Sequence, residues 1–280
     1  MRLGAPVFVK SSDPAVLAKA HKELGYRAAY CPGIVFNDPS GALTEAMRRE
    51  FEKEDIVIAE VGIWRNMMSP DPKEREAVIQ LAINKLGVAE RVGARCCVNT
   101  AGSASKEHWA GPHPHDVTKA AFDELVEITR RIIDAVKPTR AAFTIEMMQW
   151  MLPDSPDGYL DLIKAVDRKA FGVHLDPTNL INCPRRYFDT GAVIRECIEK
   201  LGPHIRSAHA KDCYMEPKAI VHISEVMPGK GVLDYRTYLT LLAKLPQDVP
   251  LMIEHLKTPE EFAQAAAYIR GVAKECGVGL

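Results

Sequence analysis

Residues 170–176 read Ala-Phe-Gly-Val-His-Leu-Asp. The run is apolar until its last three positions, which bring in His174 and Asp176. A short apolar run without alternation is the pattern of a parallel strand buried on both faces. Side chains two positions apart in a strand share a face, so His174 and Asp176 point the same way. Polar groups gathered at one end of a buried strand put chemistry at that end.

Similar runs occupy 3–9, 28–32, 56–62, 94–99, 140–147, 205–211 and 250–255. The stretches between them predict amphipathic helices over 14–24, 41–54, 72–92, 116–136, 156–168, 190–201, 234–244 and 259–275. Asp13 and Pro14 suit a capped first turn, and Gly25 suits a helix stop. Pro72, Pro156 and Pro259 stand at first-turn positions too. Asp116 and Asp234 read as caps, the latter after a tight turn at Pro228-Gly229-Lys230-Gly231. Eight strand–helix units in 280 residues match the size of a (β/α)8 TIM barrel. A doubly wound sheet shows the same alternation, but no Gly-x-Gly-x-x-Gly follows the first run. No linker rich in Pro, Gly or Ser divides the chain. The expectation is one α/β domain over 1–280, a (β/α)8 barrel with its active site at the C-terminal strand ends.

Composition sets the partners. Lys+Arg total 36 against Asp+Glu 37, a formal net charge of −1. No bulk basic signature for nucleic acid or anionic membrane is present. No apolar run is long enough to span a bilayer, and the first residues lack signal-peptide features. The seven cysteines form no C-x-x-C pair, which predicts reduced thiols in a cytoplasmic protein. Neither a Gly-x-Ser-x-Gly elbow nor a P-loop occurs, so serine hydrolase and NTPase chemistry lack support.

Four consecutive strand ends carry metal-type ligands. The fifth run ends at Glu146, the sixth at Asp176 and the eighth at Glu254, and the seventh places His209 near its end. Any one of them alone reads equally well as a cap or an ion-pair partner. Together, three carboxylates and one neutral imidazole suit one divalent cation: Mn²⁺, Co²⁺, Mg²⁺ or Zn²⁺. Without a cation the clustered carboxylates would repel one another. His174 reads as a residue one layer below, hydrogen-bonded to a ligand. Lys211 shares the parity of His209 and can polarise a substrate oxygen, or pair with Asp212 or Asp176; Asp212 alternatively braces the following loop.

The loops add substrate-contact candidates. Asn99 opens a long segment after the fourth run, containing Trp109, His113 and His115 within Trp-Ala-Gly-Pro-His-Pro-His-Asp (109–116). A loop of this length favours function over simple connection. Trp64 and Arg65 follow the third run.

The run Gly-Val-His-Leu-Asp-Pro-Thr-Asn (172–179), His-Ala-Lys-Asp (209–212) and Ile-Glu-His-Leu (253–256) resemble the sugar phosphate isomerase/epimerase family with the xylose isomerase-like barrel. That family includes ketose 3-epimerases and inosose isomerases and dehydratases. The resemblance implies that Glu146, Asp176, His209 and Glu254 bind one metal ion, often Mn²⁺. It implies that Glu146 and Glu254 double as acid/base residues, and that barrels of this kind often form dimers or tetramers. Two positions depart from the pattern. Many relatives carry a His where this chain has Asn179, which argues against the trinuclear-zinc endonuclease branch. Ketose 3-epimerases have a substrate-binding Arg where this chain has Met215.

The expected activity is therefore a metal-dependent isomerase or epimerase of a keto-sugar or keto-cyclitol. Glu146 and Glu254 would move a proton beside the carbonyl through an enediolate. A lyase on the same scaffold, an inosose-type dehydratase or a 3-keto-glycoside-cleaving enzyme, is the alternative. The His-rich loop would then supply the acid for the leaving group. A sugar-binding or scaffold protein that retains the barrel without turnover is a third reading, though it leaves the four-ligand cluster unexplained, and an AP-endonuclease-like nuclease is a distant fourth.

Overall fold

The computed structural model describes residues 1–280. Eight parallel strands close a barrel: β1 (Arg2–Gly4), β2 (Ala28–Tyr30), β3 (Val57–Gly62), β4 (Cys96–Asn99), β5 (Ala142–Glu146), β6 (Phe171–Leu175), β7 (Ile205–Ala210) and β10 (Pro250–Ile253). Each pairs with its neighbour in the chain order, and β10 closes onto β1. β4, β5, β6 and β10 are buried at every position, as expected of strands enclosed by helices. Closure decides the fold as the (β/α)8 barrel rather than the open sheet.

Between β7 and β10 lies an antiparallel hairpin that the run at 205–211 does not announce, β8 (Asp212–Met215) and β9 (Ile223–Val226). Asp212 anchors its return. Its carboxylate accepts from the backbone N–H groups of Gly229, Gly231 and Leu233 at 3.0, 3.1 and 2.8 Å. A Cβ at Gly231 would stand 2.2 Å from the Cys213 carbonyl, so only glycine admits this approach.

The outer layer is α1 (Pro14–Glu23), α2 (Ala42–Lys53), α3 (Pro72–Val92), α4 (Lys119–Val136), α5 (Pro156–Val166), α6 (Pro184–Tyr187), α7 (Thr190–Leu201), α8 (Tyr235–Leu242) and α9 (Pro259–Glu275). Prolines open α1, α3, α5 and α9. Asp13 and Asp234 cap α1 and α8. Asp116 does not cap α4. Thr118 takes that position, accepting from Ala121 N–H at 3.2 Å. Asp116 turns inward and accepts from Ser103 Oγ at 2.5 Å and Ala104 N–H at 2.9 Å, tying the two ends of the long loop together. No helix is long and apolar enough to cross a membrane.

Candidate metal centre and cavity

Helix tyrosines pin the strand ends that carry the acidic and imidazole groups. From α5, the Tyr159 hydroxyl lies 2.6 Å from the Ile145 carbonyl and 2.9 Å from that of Gly172, bridging β5 and β6. From α8, Tyr238 donates to the His209 carbonyl at 3.0 Å and Tyr235 to that of Lys211 at 2.7 Å. Tyr30 donates to the Ile253 carbonyl at 3.1 Å. Each hydroxyl bonds a carbonyl within two residues of a charged or imidazole side chain at the mouth, so helix packing, with Tyr30 of β2, fixes the site's backbone.

Glu146, Asp176, His209 and Glu254 converge there, with one ligand atom from each lying within 4.8 Å of the others. His209 Nδ1 stands 2.6 Å from Glu254 Oε1, 3.2 Å from Glu146 Oε1 and 4.0 Å from Asp176 Oδ2. Lys211 Nζ enters the same cluster, 3.0 Å from Asp176 Oδ2 and 2.8 Å from Glu254 Oε1. Asn179 Nδ2 donates to Glu146 Oε1 at 3.1 Å.

The charges do not balance, and the titration of each group reflects it. Burial and the nearby Glu146 and Glu254 carboxylates push Asp176 up to about 6 against the pull of Lys211. Burial would raise Glu254 as well, but His209 and Lys211 outweigh it and hold that carboxyl well below its ordinary range. Glu146 is lowered too, with burial opposed by Lys211 and His209. Burial disfavours charge on His209 and Lys211, yet the surrounding carboxylates raise both well above their usual values. Asp176 Oδ2 and Glu254 Oε1 are buried and receive no well-directed hydrogen bond. Buried acceptor oxygens left unsatisfied are costly unless a cation or donor meets them. Excess negative charge, buried oxygens met by ion-pair contacts without hydrogen-bond geometry, and a hard oxygen-plus-imidazole donor set all fit one divalent cation.

Above the cluster opens a cavity of about 750 Å³. The chain's three tryptophans, Trp64, Trp109 and Trp150, all line it. Trp64 has a left-handed backbone (φ 53°), and its indole folds back against Gly62, where a Cβ would stand 2.2 Å from Nε1. Trp150 Nε1 donates to the Ala110 carbonyl at 2.7 Å and so holds the long loop over the mouth.

Of the expected contact residues, Trp64, Trp109, Asn179 and Lys211 line this cavity. The others lie elsewhere. Asn99 is fully buried and braces the turn after β3, accepting from Arg65 N–H at 3.1 Å and donating to its carbonyl at 2.8 Å. The Arg65 side chain turns outward to the Trp64 carbonyl. His113 is exposed, its ring spent on the local turn, accepting from His115 N–H at 3.2 Å. Neither it nor His115 borders the cavity; His108 of the same loop does. His174 is fully buried and bonds Glu60 at 2.7 Å, not a ligand of the four-residue cluster.

Glu60, on β3, went unread in the sequence. It is 2% exposed, and burial is outweighed by His209 and His174, which lower its carboxyl to about 2. Glu225 of β9 and His255, 3.0 Å apart, also edge the cavity. A charged residue inside an apolar run was the available signal for Glu60; nothing local signalled the hairpin that delivers Glu225.

The fold and this rim define the class: a (β/α)8 barrel with three carboxylates and an imidazole on four adjacent strand ends. The sequence profile of the xylose isomerase-like TIM barrel matches residues 18–272, and the chain belongs to that family. Among solved structures, a xylose isomerase-like TIM barrel protein from Mycobacterium smegmatis in complex with magnesium is similar, with 19% identity and a TM-score of 0.68, covering 94% of this chain and 88% of that one. D-psicose 3-epimerase from Clostridium cellulolyticum H10, solved with D-tagatose, has 14% identity and a TM-score of 0.71 over 100% of both chains. A probable 3-DHS dehydratase involved in petrobactin synthesis from Bacillus anthracis has 14% identity and a TM-score of 0.70, covering 98% and 99%. At these identities the likeness is one of fold. No curated protein sequence matches the chain.

Proposed function

We propose that the protein is a divalent-metal-dependent isomerase or epimerase of a keto-sugar or keto-cyclitol. The observation that carries this reading is the convergence of Glu146, Asp176, His209 and Glu254 at the floor of an aromatic-walled cavity. These four residues would hold the ion, with Mn²⁺ first among candidates and Co²⁺, Mg²⁺ or Zn²⁺ as alternatives. A bound cation supplies Lewis-acid stabilisation of the negative charge that develops on the substrate's oxygens.

The chain's own residues do the rest. Glu146 and Glu254 carry carboxylates kept ionised by Lys211 and His209, as a base for a C–H beside a carbonyl requires. One removes the proton, and the other returns it to the opposite face or to the neighbouring carbon. Asn179 fixes the Glu146 carboxylate by donating to Oε1. The Lys211 ammonium, buried among the carboxylates, is placed to donate to a substrate oxygen. Trp64, Trp109 and Trp150 cover sugar faces and exclude water.

Conversion of keto-sugars in deuterated solvent tests the reading. Deuterium is expected at the carbon beside the carbonyl, with both exchange and turnover lost on chelation. Turnover without exchange refutes it. A lyase is favoured by one observation, that His108 lines the cavity while its Nδ1 accepts from Ala110 N–H at 3.2 Å. Nε2 then carries the ring's hydrogen and can donate it in a hydrogen bond to a leaving-group oxygen. Elimination that survives His108→Ala at full rate removes this second reading.

A further inference from the structure

Below the four-residue cluster lies a second group, Glu60, His174 and His209, which shares His209 with the first. Glu60 starts on β3, which stands opposite β7 with three strands between them on either side, and its side chain crosses the barrel interior. Oε2 is 2.7 Å from His174 Nε2 and 3.2 Å from Ser207 Oγ, and Oε1 is 3.3 Å from His209 Nε2. Its ion-pair partners are the two histidines alone. A buried carboxylate without lysine or arginine is poor structural material, because apolar side chains of similar volume fill a barrel at lower cost.

We propose that Glu60 is a positioning residue, which fixes His209 as its Nε2–H tautomer and so presents Nδ1 to the metal. This rests on the metal reading above. An ionised carboxylate only accepts hydrogen bonds, so the nitrogen facing it carries the hydrogen. Nδ1 lies on the other side of the ring, 3.2, 4.0 and 2.6 Å from Glu146, Asp176 and Glu254; it holds a hydrogen toward those carboxylates until a cation replaces it, while Nε2 keeps its hydrogen on Glu60. The negative charge behind the ring also makes the imidazole a stronger donor to a cation. His174 holds Glu60 from the other side, its ring edge-on to that of His209 at 4.1 Å and 70°.

Glu60→Gln replaces two acceptor oxygens with one acceptor and one donor and removes the charge. Mn²⁺ titration calorimetry, at a temperature where both proteins are folded, is expected to give an affinity about 10–100-fold below wild type. Glu60→Asp keeps the charge on a shorter arm and should recover part of the loss. In the Zn²⁺-loaded protein, two-bond proton–nitrogen correlations of His209 should show hydrogen on Nε2. Glu60→Gln binding Mn²⁺ within twofold of wild type, or hydrogen on Nδ1, overturns the proposal. Should Glu60→Gln fail to fold, the tautomer in the Zn²⁺-loaded wild-type protein decides alone: hydrogen on Nε2 of His209 supports, hydrogen on Nδ1 overturns. Wild-type protein that takes up neither Mn²⁺ nor Zn²⁺ would instead defeat the metal reading itself.

Discussion

At the closed end of the barrel, Arg2 bonds Asp55 and Asp248, and Arg27 pairs with Asp55. These groups stand at the N-terminal ends of strands, and both aspartates are open to solvent. At the mouth, Glu146, Asp176, Glu254 and Glu60 are buried or nearly so and have Lys211 and two histidines among them. One end matches each acid with a guanidinium where water screens any error. The other concentrates acids where water cannot screen them. In (β/α)8 barrels the bottom face serves stability and the top face chemistry, and here the difference is visible in how the charges are partnered.

Glu254→Gln is the hardest test of that contrast. Outer partners of a metal site are worth about 10–100-fold in affinity, so if the proposed ligand role of Glu254 holds, its loss should weaken Mn²⁺ binding by more than about 100-fold in calorimetry. Retained affinity would mean that the mouth is only an ion-pair network, like the closed end. Tyr238→Phe comes next. It withdraws a buried hydroxyl from the His209 carbonyl and should lower unfolding free energy by about 1–2 kcal/mol. A smaller loss of metal affinity should accompany it, since His209 then rides on a looser strand.

Asp176→Asn should move stability and binding in opposite directions. It removes one charge from an over-acidic cluster while an amide oxygen can still accept from Thr178 N–H, now 3.0 Å from Oδ1. The metal-free protein should gain about 1 kcal/mol, or roughly 2–4 °C in melting temperature, and lose Mn²⁺ binding. A fall in melting temperature would show that the aspartate is structural. Arg2→Ala should do the reverse at the closed end, losing up to about 1 kcal/mol of stability while Mn²⁺ binding stays at wild type.

The rim was readable because chain neighbours explain it. Glu146, Asp176, His209 and Glu254 each end an apolar run, and barrel topology sets four consecutive runs side by side. Glu60 was hidden because its partners His174 and His209 lie 114 and 149 residues away and meet it only across the barrel. The β8–β9 hairpin was hidden because Asp212–Met215 continues a strand with no turn signal between. His108 rather than His113 or His115 reaches the cavity because Asp116–Ser103 and Trp150–Ala110 contacts fold the loop, and those are tertiary.

The smallest expected effect sharpens the contrast with a histidine from the same chain. His21 of α1 is buried like His209, but it meets hydrocarbon in place of carboxylates: its ring packs 5.5 Å from that of Phe51, and Nδ1 donates to the Leu17 carbonyl at 2.9 Å. Burial lowers its pKa below the ordinary value of 6.5, whereas the carboxylates around His209 raise that one. As pH falls through 6.5, the unfolded chain takes up a proton at His21 that the folded protein still refuses. Stability from this residue is therefore complete above 6.5 and declines toward its folded pKa. Melting temperatures between pH 7 and 5 should fall less steeply in His21→Leu than in wild type. Equal slopes would place the imidazole in water and remove burial as the feature that separates the two histidines.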